Sequence, residues 1–172
     1  MTSHVALVTV SDGVSEGTRE DRSGDEAERM LVDAGFELVR RSVVPDDADA
    51  IVEVLMTHVD AAIELVVTTG GTGLAPRDVT PEATRRVVTK EVPGLAQLMM
   101  LAGLVNTPHA ALSRAVAGVR NQTLILNLPG SPNAVREGLE VALGVLPHAI
   151  DTIKGRTEHG PAEHPGEAGR AE

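Results

Sequence analysis

Apolar runs of strand length alternate with segments of helical period along almost the whole chain, and this alternation is what most restricts the fold. His4–Val10 reads as a buried strand, followed by a polar loop. Ser23 and Glu26 have capping-box spacing and open a helix whose apolar face is Ala27, Met30, Leu31 and Ala34, with Gly35 ending it. Glu37–Val44 is a second strand, broken by Pro45-Asp46 and followed by a helix with Ile51, Val52, Leu55, Met56 and Val59 on one face. A third strand, 64–69, runs into Gly70-Gly71-Thr72-Gly73. Thr80-Pro81-Glu82 supplies a cap, a first-position proline and a first-turn acid for the next helix, and 94–105 is a further helix. Residues 115–119 and 123–128 form a strand pair across the turn at 120–122. Ser131-Pro132 opens one last helix, with Val135, Leu139, Ala142, Leu143, Leu146 and Ile150 on its apolar side. This order predicts an α/β domain of right-handed βαβ units: a mostly parallel sheet with helices on both faces, and a short antiparallel element from the 115–128 region.

Composition narrows the function. The chain of 172 residues suits one domain, expected over 1–154. The stretch 155–172 has no large apolar residue and is expected to be a disordered tail. The formal charge of −10, with one Phe and no Trp or Tyr, argues against nucleic acid, which calls for a basic footprint and stacking aromatics. The tail accounts for two of those negative charges, so the body keeps eight, and any anionic substrate must be held by local donors or metal ions. No cysteine is present, no signal peptide is read at the N-terminus and no apolar run reaches the roughly 20 residues of a membrane span. A cytoplasmic protein without membrane contact is expected.

Open α/β sheets bind ligands beyond the carboxyl ends of their strands. Four unusual segments fall at such ends: Ser11-Asp12, Pro45-Asp46-Asp47, Thr69-Gly70-Gly71-Thr72-Gly73, and Asn127 with Pro129-Gly130-Ser131. In a parallel sheet they converge on one edge. The glycines let backbone N–H groups approach a phosphate closely, or else simply make a tight turn. The loop is not a Walker A motif, because no Gly-Lys-Ser/Thr follows, and Pro76 replaces the third glycine of a dinucleotide fingerprint. Asp78 is either a Mg²⁺ ligand beside bound phosphate or a local turn residue. Asp46 is either a second such ligand or the N-cap of the following helix. Asp12 has a turn reading, and Ser113-Arg114 serve an anion or an internal ion pair. His109 and His148 are lone histidines, and no zinc-site spacing is present. Composition and spacing end at a nucleotide or phosphate site on a small α/β domain.

Three blocks go further: Thr68-Thr69-Gly70-Gly71-Thr72-Gly73, Pro76-Arg77-Asp78-Val79-Thr80-Pro81-Glu82-Ala83-Thr84, and Asn127-Leu128-Pro129-Gly130-Ser131-Pro132. With Thr9-Val10-Ser11-Asp12, Asp21-Arg22-Ser23-Gly24, Val44-Pro45-Asp46, Pro93-Gly94-Leu95, Leu112-Ser113-Arg114 and Ala117-Gly118, this ordered set resembles the Mog/MoaB family, which includes the G domains of gephyrin and its plant counterpart. The resemblance covers about residues 5–154.

What the resemblance implies is a three-layer αβα sandwich, assembled as a homotrimer. Its activity is transfer of AMP from ATP to the terminal phosphate of molybdopterin, giving adenylyl-molybdopterin and pyrophosphate in molybdenum cofactor biosynthesis. By the same resemblance, Asp46 and Asp78 are the catalytic and Mg²⁺-holding carboxylates. Thr69, Gly70, Gly71, Thr72 and Gly73 fall on the nucleotide site. Ser11, Asp12, Ser113, Arg114, Asn127, Pro129, Gly130 and Ser131 fall on the substrate-binding region. Molybdopterin and ATP are the implied partners, with a molybdenum-insertion enzyme downstream. Three alternatives stay open: a non-catalytic MoaB-type paralogue that binds molybdopterin or nucleotide without transfer, the related molybdenum-insertion domain, and a trimeric scaffold with a vestigial pocket. The second is normally carried by a longer multidomain chain.

Overall fold

The computed structural model describes residues 2–156. Most of the expected tail, with its histidines His159 and His164, lies outside the described residues.

Six strands form one sheet: β1 (His4–Val10), β2 (Glu37–Val44), β3 (Leu65–Thr69), β4 (Lys90–Glu91), β5 (Ala117–Arg120) and β6 (Thr123–Leu128). Their spatial order is β2-β1-β3-β6-β5-β4. β2, β1, β3 and β6 run parallel, while β5 and β4 are antiparallel additions at one edge. The register aligns Val10 with Val44, Thr9 with Thr69, and Thr69 with Leu128. All four parallel strands therefore end on one line, and the loops that leave them emerge together.

Successive residues of a strand point to opposite faces, and both faces of the central strands are covered. Val5, Leu7, Leu65, Val67, Leu124, Leu126 and Leu128 pack beneath α2 (Arg22–Asp33), α5 (Pro93–Leu104), α6 (Pro132–Ala142) and α7 (Leu146–Ile153). Ala6, Val8, Val10, Val66 and Ile125 pack beneath α3 (Ala48–Asp60) and α4 (Thr80–Val87). The result is the three-layer αβα sandwich expected. Because α2 and α3 cover opposite faces, the chain reverses direction across the sheet at β1, and the crevice between the loops after β1 and β3 is the switch point where such sheets bind ligands.

Several local readings are corrected. Asp21, not Ser23, caps α2: its carboxylate accepts the Gly24 N–H at 2.9 Å, and Ser23 lies within the helix. Asp47, not Asp46, caps α3, accepting the N–H groups of Asp49 and Ala50 at 3.0 and 2.9 Å. Thr80 is the first residue of α4 rather than its cap, and its hydroxyl donates to the Gly70 carbonyl at 3.0 Å. The final helix is two, α6 and α7, separated at Leu143-Gly144-Val145. Pro147, in the first turn of α7, lacks an N–H and would clash with the preceding turn of a continuous helix. A short α1 (Asp12–Ser15), strand β4 and a 3₁₀ turn over Pro108–Leu112 were not foreseen.

Candidate active site at the strand ends

The loop after β3 is built for contact between backbones. Gly70 has φ +93°, and any Cβ there would overlap the Val10 carbonyl at the end of β1. Gly71 has φ +63°, and its Cβ would overlap the Thr80 hydroxyl and come within 3.3 Å of Asp46 Oδ1. Side chains rarely adopt such φ values, so both positions require glycine. The Gly70 N–H donates to Leu128 O at 3.1 Å, and a Cβ on Gly130 would come within 3.3 Å of Gly70 Cα. Main chain from β1, β3 and β6 thus meets at one point.

The aspartates after β1 and β2 are locked to each other. Asp46 Oδ2 accepts the Asp12 N–H at 2.9 Å, and Asp12 Oδ1 accepts the Asp46 N–H at 3.0 Å. Arg77, after β3, grips Asp12 bidentately, Nε to Oδ2 at 2.7 Å and Nη2 to Oδ1 at 2.8 Å. Hydrogen bonds from Arg77 and then from the Asp46 backbone hold the Asp12 carboxyl below the usual carboxylate range. Asp78 Oδ2 accepts the Ala75 N–H at 2.8 Å. Among the described residues, Asp46 Oδ1 and Asp78 Oδ1 accept no hydrogen bond, so each carboxylate keeps one oxygen for a ligand.

Two cavities open on this edge. One, of about 450 Å³, is walled mainly by apolar groups of α5 and α6, among them Ala96, Met99, Met100 and Ala134. Thr72, Gly73, Ser113, Pro129 and Ser131 line its rim. The other, of about 720 Å³, is polar and is lined by Thr9, Ser11, Arg19, Glu20, Arg22, Ser23 and Asp46. Gly71, Asp78 and Gly130 border both. A flat apolar ring suits the first chamber and phosphate groups the second, with Asp78 at the junction.

Of the expected site residues, Asp46, Asp78, Ser11, Gly70, Gly71, Thr72, Gly73, Ser113, Pro129, Gly130 and Ser131 border these cavities. Ser131 also caps α6 through the Ala134 N–H. Four others act behind the walls. Asp12 holds Asp46. Thr69 is fully buried at the end of β3. Asn127, also fully buried, accepts the Val116 N–H and donates to the hydroxyls of Thr68 and Thr84 at 2.9 Å. Arg114 donates to Gly73 O at 2.7 Å and Asp78 O at 2.6 Å and pairs with Glu82, so its guanidinium braces the glycine loop from outside. Arg77, Arg19 and the two methionines were missed by the sequence reading. The methionines carried a signal, since Met99 shares the apolar face of α5 with Leu95.

The family described as "Probable molybdopterin binding domain" matches residues 6–148. The chain belongs to this family. Among its relatives, molybdopterin adenylyltransferase of Helicobacter pylori strain J99 is 41% identical over 157 residues, covering 90% of this chain and 89% of the relative. Molybdopterin adenylyltransferase of Escherichia coli K12 is 43% identical over 143 residues, covering 81% and 73%. The crystal structure of the molybdopterin biosynthesis enzyme MoaB from Thermus thermophilus superposes with a TM-score of 0.85 at 51% identity, covering 90% of this chain and 98% of that one.

Among the described residues, no group of three or more His, Cys, Asp or Glu side chains could hold a metal ion by itself. Mg²⁺ in nucleotide sites needs only one or two carboxylates, the rest of its shell being phosphate and water. Asp46 and Asp78, on one polar cavity and each with an uncommitted oxygen, fit that requirement.

Proposed function

We propose that this protein is a molybdopterin adenylyltransferase of molybdenum cofactor biosynthesis, using ATP as the AMP donor. The observation that carries the reading is the apolar and the polar chamber sharing Gly71, Asp78 and Gly130 in a chain 41–43% identical to proteins of that name. A terminal phosphate oxygen of molybdopterin forms a bond to the α-phosphorus of ATP, the bond from that phosphorus to the β-phosphate oxygen breaks, and pyrophosphate leaves. The protein's work in such a transfer is positioning and charge stabilisation. The N–H groups of Gly71, Thr72 and Gly73, with the α6 N-terminus, hold phosphate oxygens, the Gly70 N–H being taken by Leu128 O. Asp46 and Asp78 are the residues that would hold Mg²⁺, which when bound neutralises charge on the departing pyrophosphate.

We further propose a homotrimer in the cytoplasm that passes its product to a molybdenum-insertion enzyme and contacts neither nucleic acid nor membrane. Exposed Leu101, Leu104, Val105 and Leu112, at the end of α5 and in the adjoining turn, offer apolar surface for self-association. No helix among the described residues is long and apolar enough to cross a membrane. Sedimentation equilibrium at tens of micromolar tests the trimer; a monomer there rejects it.

The deciding experiment incubates the protein with molybdopterin and Mg-ATP and follows pyrophosphate. Release that requires the pterin is expected. The alternative, a non-catalytic binder, predicts pterin binding without release.

A further inference from the structure

We propose that Arg19 is an anion-binding residue of the polar cavity, seated to take a di- or triphosphate group; this rests on the reading of that cavity as the phosphate chamber. Among the described residues, two cations line the cavity, Arg19 and Arg22. Arg22 is committed to Glu20 at 3.1 Å. Among the described residues, Arg19 has no carboxylate within ion-pair distance and no side-chain hydrogen bond, although it is attached to a chain of net charge −10. In such a chain, a guanidinium left unpaired on the wall that also carries Asp46 and Asp78 is the charge an incoming phosphate meets.

Its position is built rather than incidental. The loop after α1 closes on one carbonyl: Gly13 O accepts the Thr18 N–H at 2.8 Å, the Thr18 hydroxyl at 3.0 Å and the Arg19 N–H at 3.0 Å. That fixes the Arg19 backbone. The side-chain stem then lies across Gly13, so close that a Cβ on Gly13 would come within 2.7 Å of Arg19 Cδ and 3.0 Å of Cγ. Gly13 thus leaves the room in which the stem lies, and a side chain at that position would displace it.

The test is calorimetric titration of the full-length protein with inorganic pyrophosphate at fixed Mg²⁺. Arg19→Gln is expected to raise Kd about tenfold, the size of one charge-assisted contact. Gly13→Ala keeps the charge but displaces the stem, and is expected to raise Kd severalfold. Lys90→Gln removes one positive charge far from the cavity and is expected to stay within about twofold, which separates a contact from the field of the whole molecule. In turnover, Arg19→Gln should raise KM for a phosphate-bearing substrate while leaving kcat nearly unchanged. An Arg19→Gln Kd equal to wild type, a loss matched by Lys90→Gln, or a wild type that does not bind pyrophosphate overturns the proposal. Equal binding by Gly13→Ala and wild type overturns the role given to Gly13. Arg19-dependent pyrophosphate binding without any AMP transfer would instead sink the adenylyltransferase reading and leave this inference standing.

Discussion

Asp12 and Asp46 cap each other, each carboxylate accepting the other's backbone N–H, at 3.0 and 2.9 Å. The pair ties the end of β1 to the end of β2 and orients Asp46 toward the polar cavity, while Arg77 holds Asp12 in place from the β3 side.

The capping and catalytic tasks fall on neighbouring residues, and mutation should separate them. Asp47→Ala removes the α3 cap and is expected to cost about 0.5–2 kcal/mol in urea unfolding with turnover retained. Asp46→Asn keeps an oxygen for the Asp12 N–H, so it should melt close to wild type yet lose about 10²-fold in kcat. Full turnover by Asp46→Asn across a Mg²⁺ titration would remove it from the chemistry.

That division could not be read from the sequence. Two adjacent aspartates after a strand both satisfy the cap rule, and only the fold shows that the one claimed by residue 12 is unavailable to the helix. The alternation of strands and helices was legible because burial on both faces of a parallel sheet demands continuous apolar strands, and convergence of the loops followed from parallelism alone. Arg77–Asp12 and the Asn127 bridge were not legible, since their partners lie 43 to 65 residues away and polar side chains carry no periodic signal. β4 is two residues long, too short for any pattern, and exists because β5 offers it a partner.

Asp78→Asn tests the second carboxylate. Its Ala75 hydrogen bond survives in the amide, so the loop should keep its shape. Turnover at limiting Mg²⁺ is expected to drop about 10²-fold or more, with pterin binding retained. Unchanged turnover there would reject the metal-holding role.

Gly70→Ala combines a left-handed backbone with overlap of the Val10 carbonyl, and neither strand end can move without disturbing the other. An unfolding loss of about 1–3 kcal/mol is expected, accompanied by loss of activity. Gly94, in the first turn of α5, has open space around it, and Gly94→Ala should be neutral or stabilise by up to about 1 kcal/mol. Equal stability of the two variants would show that the 70–73 loop tolerates a side chain.

His58 is buried on α3 with no hydrogen-bond partner for Nε2. Burial, and secondarily the charge of Arg40, hold its pKa below the usual 6.5. The unfolded chain therefore takes up a proton near pH 6.5 that the folded protein refuses. Stability from this group is present above pH 6.5 and falls as pH drops below it, at a slope of up to about 1.4 kcal/mol per pH unit. Urea midpoints from pH 7.5 to 5.5 should fall more steeply for wild type than for His58→Met. Parallel profiles would rule the histidine out.

The strand order β2-β1-β3-β6-β5-β4 has a consequence for how the protein is made. β3 sits between β1 and β6, yet more than fifty residues separate it from β6 in the chain. During synthesis the fully buried run Leu65–Thr69 emerges long before its second neighbour and waits as an open, apolar edge. Neither the Gly70–Leu128 bond nor the Asn127 bridge exists until the ribosome has passed residue 128. A nascent chain stalled near residue 115 would hold both aspartates and the whole glycine loop but no assembled site, and its sticky edge would pair with whatever strand came first.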